Sequence, residues 1–244
     1  MKTYIPSDVE KSRAFQVIEI LKEKDFFAAL NYTKVIKKTY SGEEYEDWEL
    51  SYNKWLSKEM DNMLEQGIEF SSGLTKVCIF DKQNPHWNIK VSFNRSSCPS
   101  YQDPKLNIDF CKREADYYAE AEACDLGQYF TATYPLETVN GLCVVLQQNV
   151  ETAEDIFDEI LDDYVRDWYK VEDFDGDEDA YWDSIRECAN DLDNSERIRA
   201  IIGEDSAALI EFIEKYNIND LHVGNWGITD QGYYVMLDFS GYVA

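Results

Sequence analysis

The residues best suited to chemistry lie close together late in the chain. Asp220-Leu221-His222-Val223-Gly224-Asn225-Trp226-Gly227 is followed by Leu237-Asp238-Phe239-Ser240-Gly241. Phosphoryl transfer needs a carboxylate that orients the acceptor, a neighbouring group that holds metal, and a second carboxylate on a metal that bridges phosphates. A loop with Asp220 and Asn225 five positions apart can aim both side chains into one cleft. The turn signal Asp230-Gln231-Gly232 predicts a hairpin that returns Asp238 to that cleft, 13 positions after Asn225. The plainer alternative is a polar turn followed by an ordinary strand.

Residues 7–66 read as helical. Ser7 is the expected N-cap, and Ala14, Val17, Ile18 and Leu21 fall on one helix face, widened by Phe15 and Ile20. After a break at Ser41-Gly42, Trp48, Trp55, Leu56, Met60, Met63 and Leu64 mark a second helix. From Gly67 the period changes, and residues 74–80 and 87–93 read as strands. A helix is expected over 104–125, a short buried strand over 142–146, and further helices after Val150, interrupted near 173–179 and Gly203.

The late segment resembles the catalytic and metal-binding loops of the protein-kinase-like superfamily, and its Asp-Leu-His-x-Gly-Asn form is most similar to the atypical and small-molecule kinases. The resemblance implies Asp220 as catalytic base, with Asn225 and Asp238 as magnesium ligands. Upstream, the stretch around Gly73 resembles a degenerate glycine-rich phosphate loop. Lys90 resembles the strand lysine that grips nucleotide phosphates, with Lys76 as its competitor. Glu114 would pair with that lysine, although Glu120 and Glu122 share its helix. Gln148 sits where a hinge would meet adenine.

The implied fold is α+β, a kinase-like two-lobed arrangement. It would have a helical N-terminal extension (1–66), a β-rich nucleotide-binding lobe (67–150) and a truncated helical lobe with the catalytic and metal-binding loops (151–244). The implied function is Mg-ATP-dependent phosphotransfer, with ATP and magnesium as cofactors. Asn219 stands where regulatory kinases carry arginine, and Ser240 replaces the glycine after Asp-Phe. Only three residues follow Gly241, so neither an activation segment nor peptide-binding helices are expected.

Composition constrains partners. A net charge of −26 repels nucleic acids and anionic membranes and attracts cations and basic proteins. Residues 151–196 hold 19 acidic residues against Arg166, Lys170 and Arg186. The first expectation is a solvated helix face over a buried stripe of Ile156, Ile160, Tyr164 and Trp168. The second is a surface for a basic protein partner. That makes the alternative function an acidic binding or inhibitor protein, or nucleic-acid mimic, on a kinase-like pseudoenzyme scaffold. Asp173 to Asp179 does not complete an EF-hand, because position 6 is Glu178 and position 12 is Ser184. Six cysteines without a CxxC pair, no signal-like run at Met1 and no long apolar stretch fit a cytoplasmic protein.

Overall fold

The structure, a computed structural model, describes residues 4–104, 107–203 and 206–241. Helix α1 (Asp8–Glu23) opens with a reciprocal cap: the Ser7 hydroxyl accepts from the Glu10 amide, and the Glu10 carboxylate accepts from the Ser7 amide at 2.7 Å. Ala14, Val17, Ile18 and Leu21 are buried, whereas Phe15 lies outside the stripe. A single turn, α2 (Phe26–Ala29), follows.

The next segment departs from the helical reading. Trp48 belongs to a β-ribbon, β1 (Tyr32–Lys38) and β2 (Glu44–Leu50), and the second helix, α3 (Tyr52–Glu65), begins only after it. Thr33, Val35 and Ile36 favour extended backbone, and Gly42 makes the turn at a φ of +87°. Neither face of the ribbon is fully buried, so the alternation that reveals a strand is missing.

A five-stranded antiparallel sheet follows, formed by β3 (Ile68–Ser72), β4 (Lys76–Asp81), β5 (Trp87–Ser92), β6 (Thr133–Val139) and β7 (Leu142–Gln148), in the order β3-β4-β5-β7-β6. Strand alternation sorts its side chains. Val77, Ile79, Ile89 and Val91 join the main core with Val17, Leu21, Phe26 and Met63. Lys76, Cys78, Lys90 and Ser92 take the alternate positions. Helix α4 (Phe110–Ala123) packs Cys111 and Ala115 against Cys143 and Val145. The Asp109 carboxylate caps α4 by accepting from the Lys112 amide at 3.0 Å. Of the helix expected over 104–125, residues 105 and 106 lie outside the described residues.

The rest of the chain comprises β8 (Glu151–Thr152), α5 (Glu154–Arg166), α6 (Glu178–Asp191), α7 (Asn194–Ile202), α8 (Ala207–Tyr216), β9 (Trp226–Ile228) and β10 (Tyr234–Met236). The last two strands form the expected hairpin, and β8 pairs with the other edge of β9. The buried stripe of α5 is Phe157, Leu161 and Val165, one position round from the expected one, and Ile156 and Trp168 are exposed. Both stripes satisfy the helical period. Docking decides between them, because Phe157 meets the rings of Trp226 and Tyr234 at 5.9 and 5.2 Å. Asp177 caps α6 by accepting from the Ala180 amide at 3.1 Å, so part of the acidic run between 173 and 179 has a local structural role. Among the described residues, no helix is long and apolar enough to cross a membrane.

Candidate active site

Three elements deliver charge to one point. The Lys76 Nζ, at the start of β4, lies 2.5 Å from Glu114 Oε1 on α4 and 2.6 Å from Asp238 Oδ1 beyond β10. It also donates to Ser240 Oγ at 3.2 Å, so all three ammonium donors have acceptors. The Ser240 hydroxyl in turn donates to Asp238 Oδ1 at 3.0 Å. The serine that replaces glycine therefore helps hold the aspartate.

Lys90 was expected to pair with Glu114, and the pairing falls to Lys76 instead. Cys78 pairs with Lys90 in register, and Lys76 precedes Cys78 by two residues, which puts both lysines on the same sheet face. The Lys90 ammonium donates to the Leu237 carbonyl at 3.3 Å, one residue before Asp238.

The Asp220 loop is tied to the same place through backbone. Ile218 and Leu221 are buried and anchor it. Asn225 Nδ2 donates to the Asp220 carbonyl at 2.8 Å, and the Leu237 amide donates to the Asn225 carbonyl at 2.9 Å. Asp220, Asn225 and Asp238 thus belong to two adjoining loops. Gly241, at a φ of +69°, lets them touch, since a Cβ there would stand 2.6 Å from the Asn217 carbonyl oxygen. His222 braces the turn: its Nδ1 accepts from the Gly224 amide at 3.1 Å, and its Nε2 lies 3.8 Å from Asp220 Oδ1.

Burial and charge compete in the cluster. Burial opposes ionisation of Asp238, but the ammonium groups of Lys76 and Lys90 override it and hold the carboxyl well below its usual range. For Glu114 burial wins: despite both lysines its carboxyl is pushed up to about 7, with the Asp238 charge adding to the rise. Its Oε2 has no hydrogen-bond partner. Burial lowers both lysines, and the neighbouring acids more than restore them, so both stay charged.

The remaining expected residues lie elsewhere. Gly73 sits in the exposed β3–β4 turn, where its amide donates to the Lys76 carbonyl at 3.1 Å. Space remains open around it, and its φ is not in the left-handed region. The Gln148 backbone amide donates to the Ala132 carbonyl at 2.8 Å, and the Asn149 backbone amide donates to the His86 carbonyl at 2.8 Å. Ser240 was not foreseen, nor was Arg113, whose guanidinium donates to the Ser240 carbonyl at 2.9 Å. The arginine lies one residue before Glu114, which was the available signal. No protein-family model matches the chain, and no curated protein matches it either.

Proposed function

We propose that this protein is a Mg-ATP-dependent phosphotransferase on a kinase-like two-lobed scaffold with a reduced helical lobe. The observation that carries the reading is the triple contact of Lys76 with Glu114, Asp238 and Ser240. It joins a sheet lysine, a helix glutamate and the aspartate of the loop after the hairpin, the set that positions and neutralises phosphates in such enzymes. The order β3-β4-β5-β7-β6, with α4 against Cys143 and Val145, supports the nucleotide-binding lobe.

The donor chemistry suits magnesium, which is commonly held by one or two carboxylates together with substrate phosphates. Among the described residues no three His, Cys, Asp or Glu side chains converge as a metal site. Asp238 would supply the carboxylate. Asn225, with its Nδ2 committed to Asp220, would supply its Oδ1. Magnesium, when bound, neutralises phosphate charge. Lys76 would exchange Asp238 for a phosphate oxygen while keeping Glu114. Asp220 would accept the proton of the attacking hydroxyl, held in place by Asn225 and His222.

The direct test is thermal unfolding with and without millimolar ATP and magnesium. The reading expects a rise in melting temperature that Asp238→Asn largely removes while the variant stays folded. An unchanged curve for the parent protein sinks it.

One observation favours a second reading, capture of a basic partner by the acidic region. Trp168 and Trp182 stand half-exposed among the 19 acidic residues of 151–196. Exposed indoles among carboxylates suit lysine and arginine side chains. If this is the function, it survives Asp220→Ala and is lost when Asp162, Asp163, Asp175, Asp177 and Asp179 become amides.

A further inference from the structure

A cavity of about 260 Å³ lies apart from the Lys76 cluster. It opens between the end of α4, the segment leading into β6, the end of β7 and the turn of the β9–β10 hairpin. Its lining includes Tyr4, Tyr118, Tyr233, Glu122, Asp125 and Asp230, and the Tyr4 hydroxyl donates to Asp230 Oδ2 at 3.4 Å. None of the 14 lining residues is lysine, arginine or histidine.

Two observations set this place apart from an ordinary acidic patch. Gln148 lines the cavity and is only 7% exposed. Its Oε1 accepts weakly from the Ala132 amide at 3.5 Å, while its Nε2 has no partner among the described residues. Gln148 Nε2 is not one of the fully buried unpaired atoms, so this donor is open to the cavity and can bond an acceptor placed there. The second observation is Gly127. A Cβ there would lie 2.0 Å from Glu122 Oε1, so the missing side chain makes room for the carboxylate against the wall. The φ of Gly127 is not in the left-handed region, so space rather than conformation is what glycine provides at this position.

The geometry points to a binding site for a small organic cation that also carries an oxygen acceptor, an alkylammonium with a hydroxyl or carbonyl group. The carboxylates and ring faces attract the ammonium, and the oxygen answers the Gln148 amide. Nucleotides and other anions are repelled by three carboxylates without a counter-charge. A bare metal ion would leave the ring faces unused. The volume lies just below the range typical of drug-sized ligands, about 300–1,000 Å³, which calls for a compact amine. The site does not depend on the phosphotransfer reading, because no Lys76-cluster residue lines it.

The experiment uses the full chain and trans-4-aminocyclohexanol, with 1,4-cyclohexanediol as its neutral analogue, in calorimetric or ligand-observed NMR titrations at fixed ionic strength. The amine should bind saturably, at least about tenfold more tightly than the diol, the equivalent of one charge-assisted contact. Glu122→Gln and Asp230→Asn should each weaken it by about tenfold. Gly127→Ala should displace the Glu122 carboxylate and weaken binding while leaving the melting temperature unchanged, since only the end of a flexible side chain must move. Equal affinity for amine and diol would overturn the assignment. So would amine binding that persists in the Glu122→Gln, Asp230→Asn double variant, or no saturation up to about 10 mM, weaker than any specific contact set of this kind implies.

Discussion

Lys37 and Lys76 each meet two carboxylates at nearly equal distance, and of this pair only Lys76 has left water. Lys37, on the β-ribbon, lies 2.7 Å from both Asp47 and Glu49, with its side chain 38% exposed. Lys76 lies 2.5 Å from Glu114 and 2.6 Å from Asp238, with its side chain 5% exposed. On the ribbon, solvent and salt screen the attraction, and ordering the long side chains offsets most of what remains. In the cluster each partner is held because removing it strands a buried charge. Contact distance alone therefore does not mark a functional ion pair. What separates the Lys76 cluster from the ribbon is convergence from three elements and burial.

The largest effect that sharpens this contrast is on rate. Asp220→Ala should cut phosphotransfer by about 10²–10⁴-fold, the range of general-base catalysis, with little change in ATP affinity. A rate assay beside a nucleotide titration checks both parts. Loss of affinity without loss of rate would give Asp220 a binding role instead.

Next comes Lys76→Met. Breaking a buried pair costs about 3–5 kcal/mol, so chemical denaturation should show a large destabilisation together with loss of the nucleotide-dependent shift. Lys90→Met should cost less, since Lys90 bonds one carbonyl rather than two carboxylates. If Lys90→Met proves the more damaging, the sequence-based assignment of the phosphate lysine stands over the geometric one.

Smaller still is a pH effect. The Glu114 carboxyl rises from an ordinary 4.5 to about 7, so its neutral form favours the folded state. That contribution is full below 4.5 and is lost as pH rises through about 7. Relative to Glu114→Gln, the parent's melting temperature should therefore decline across this window. A rise would mean that the ionised Glu114–Lys76 pair outweighs burial. Asp238 has the opposite sign: its contribution is full above its ordinary 3.8 and is lost as pH falls below that. The smallest change belongs to Lys37→Met, which should leave the unfolding midpoint within error at physiological salt.

The spacing of Asp220, Asn225 and Asp238 was readable because short loops and a hairpin impose it locally. The choice between Lys76 and Lys90 was not, because it depends on strand register. The ribbon was hidden for a different reason. Its exposed Lys34, Lys37 and Lys38 face Glu44, Glu46, Asp47 and Glu49 without a buried side to impose alternation. On α5 the helix itself was plain, but Ile156 and Phe157 offered two stripes of equal period, and only Trp226 and Tyr234 choose between them. Local rules reached the elements and the late loops, while contacts between distant segments decided the rest.

A crystal structure with magnesium and a non-hydrolysable ATP analogue puts phosphate binding at Lys76 to the test. It should show nucleotide density with its phosphates against Lys76, metal held by Asp238 and Asn225, and the Lys76–Asp238 contact opened from 2.6 Å while Glu114 stays in place. A structure at saturating analogue that keeps Lys76 on Asp238 and shows no nucleotide at the cluster would contradict it.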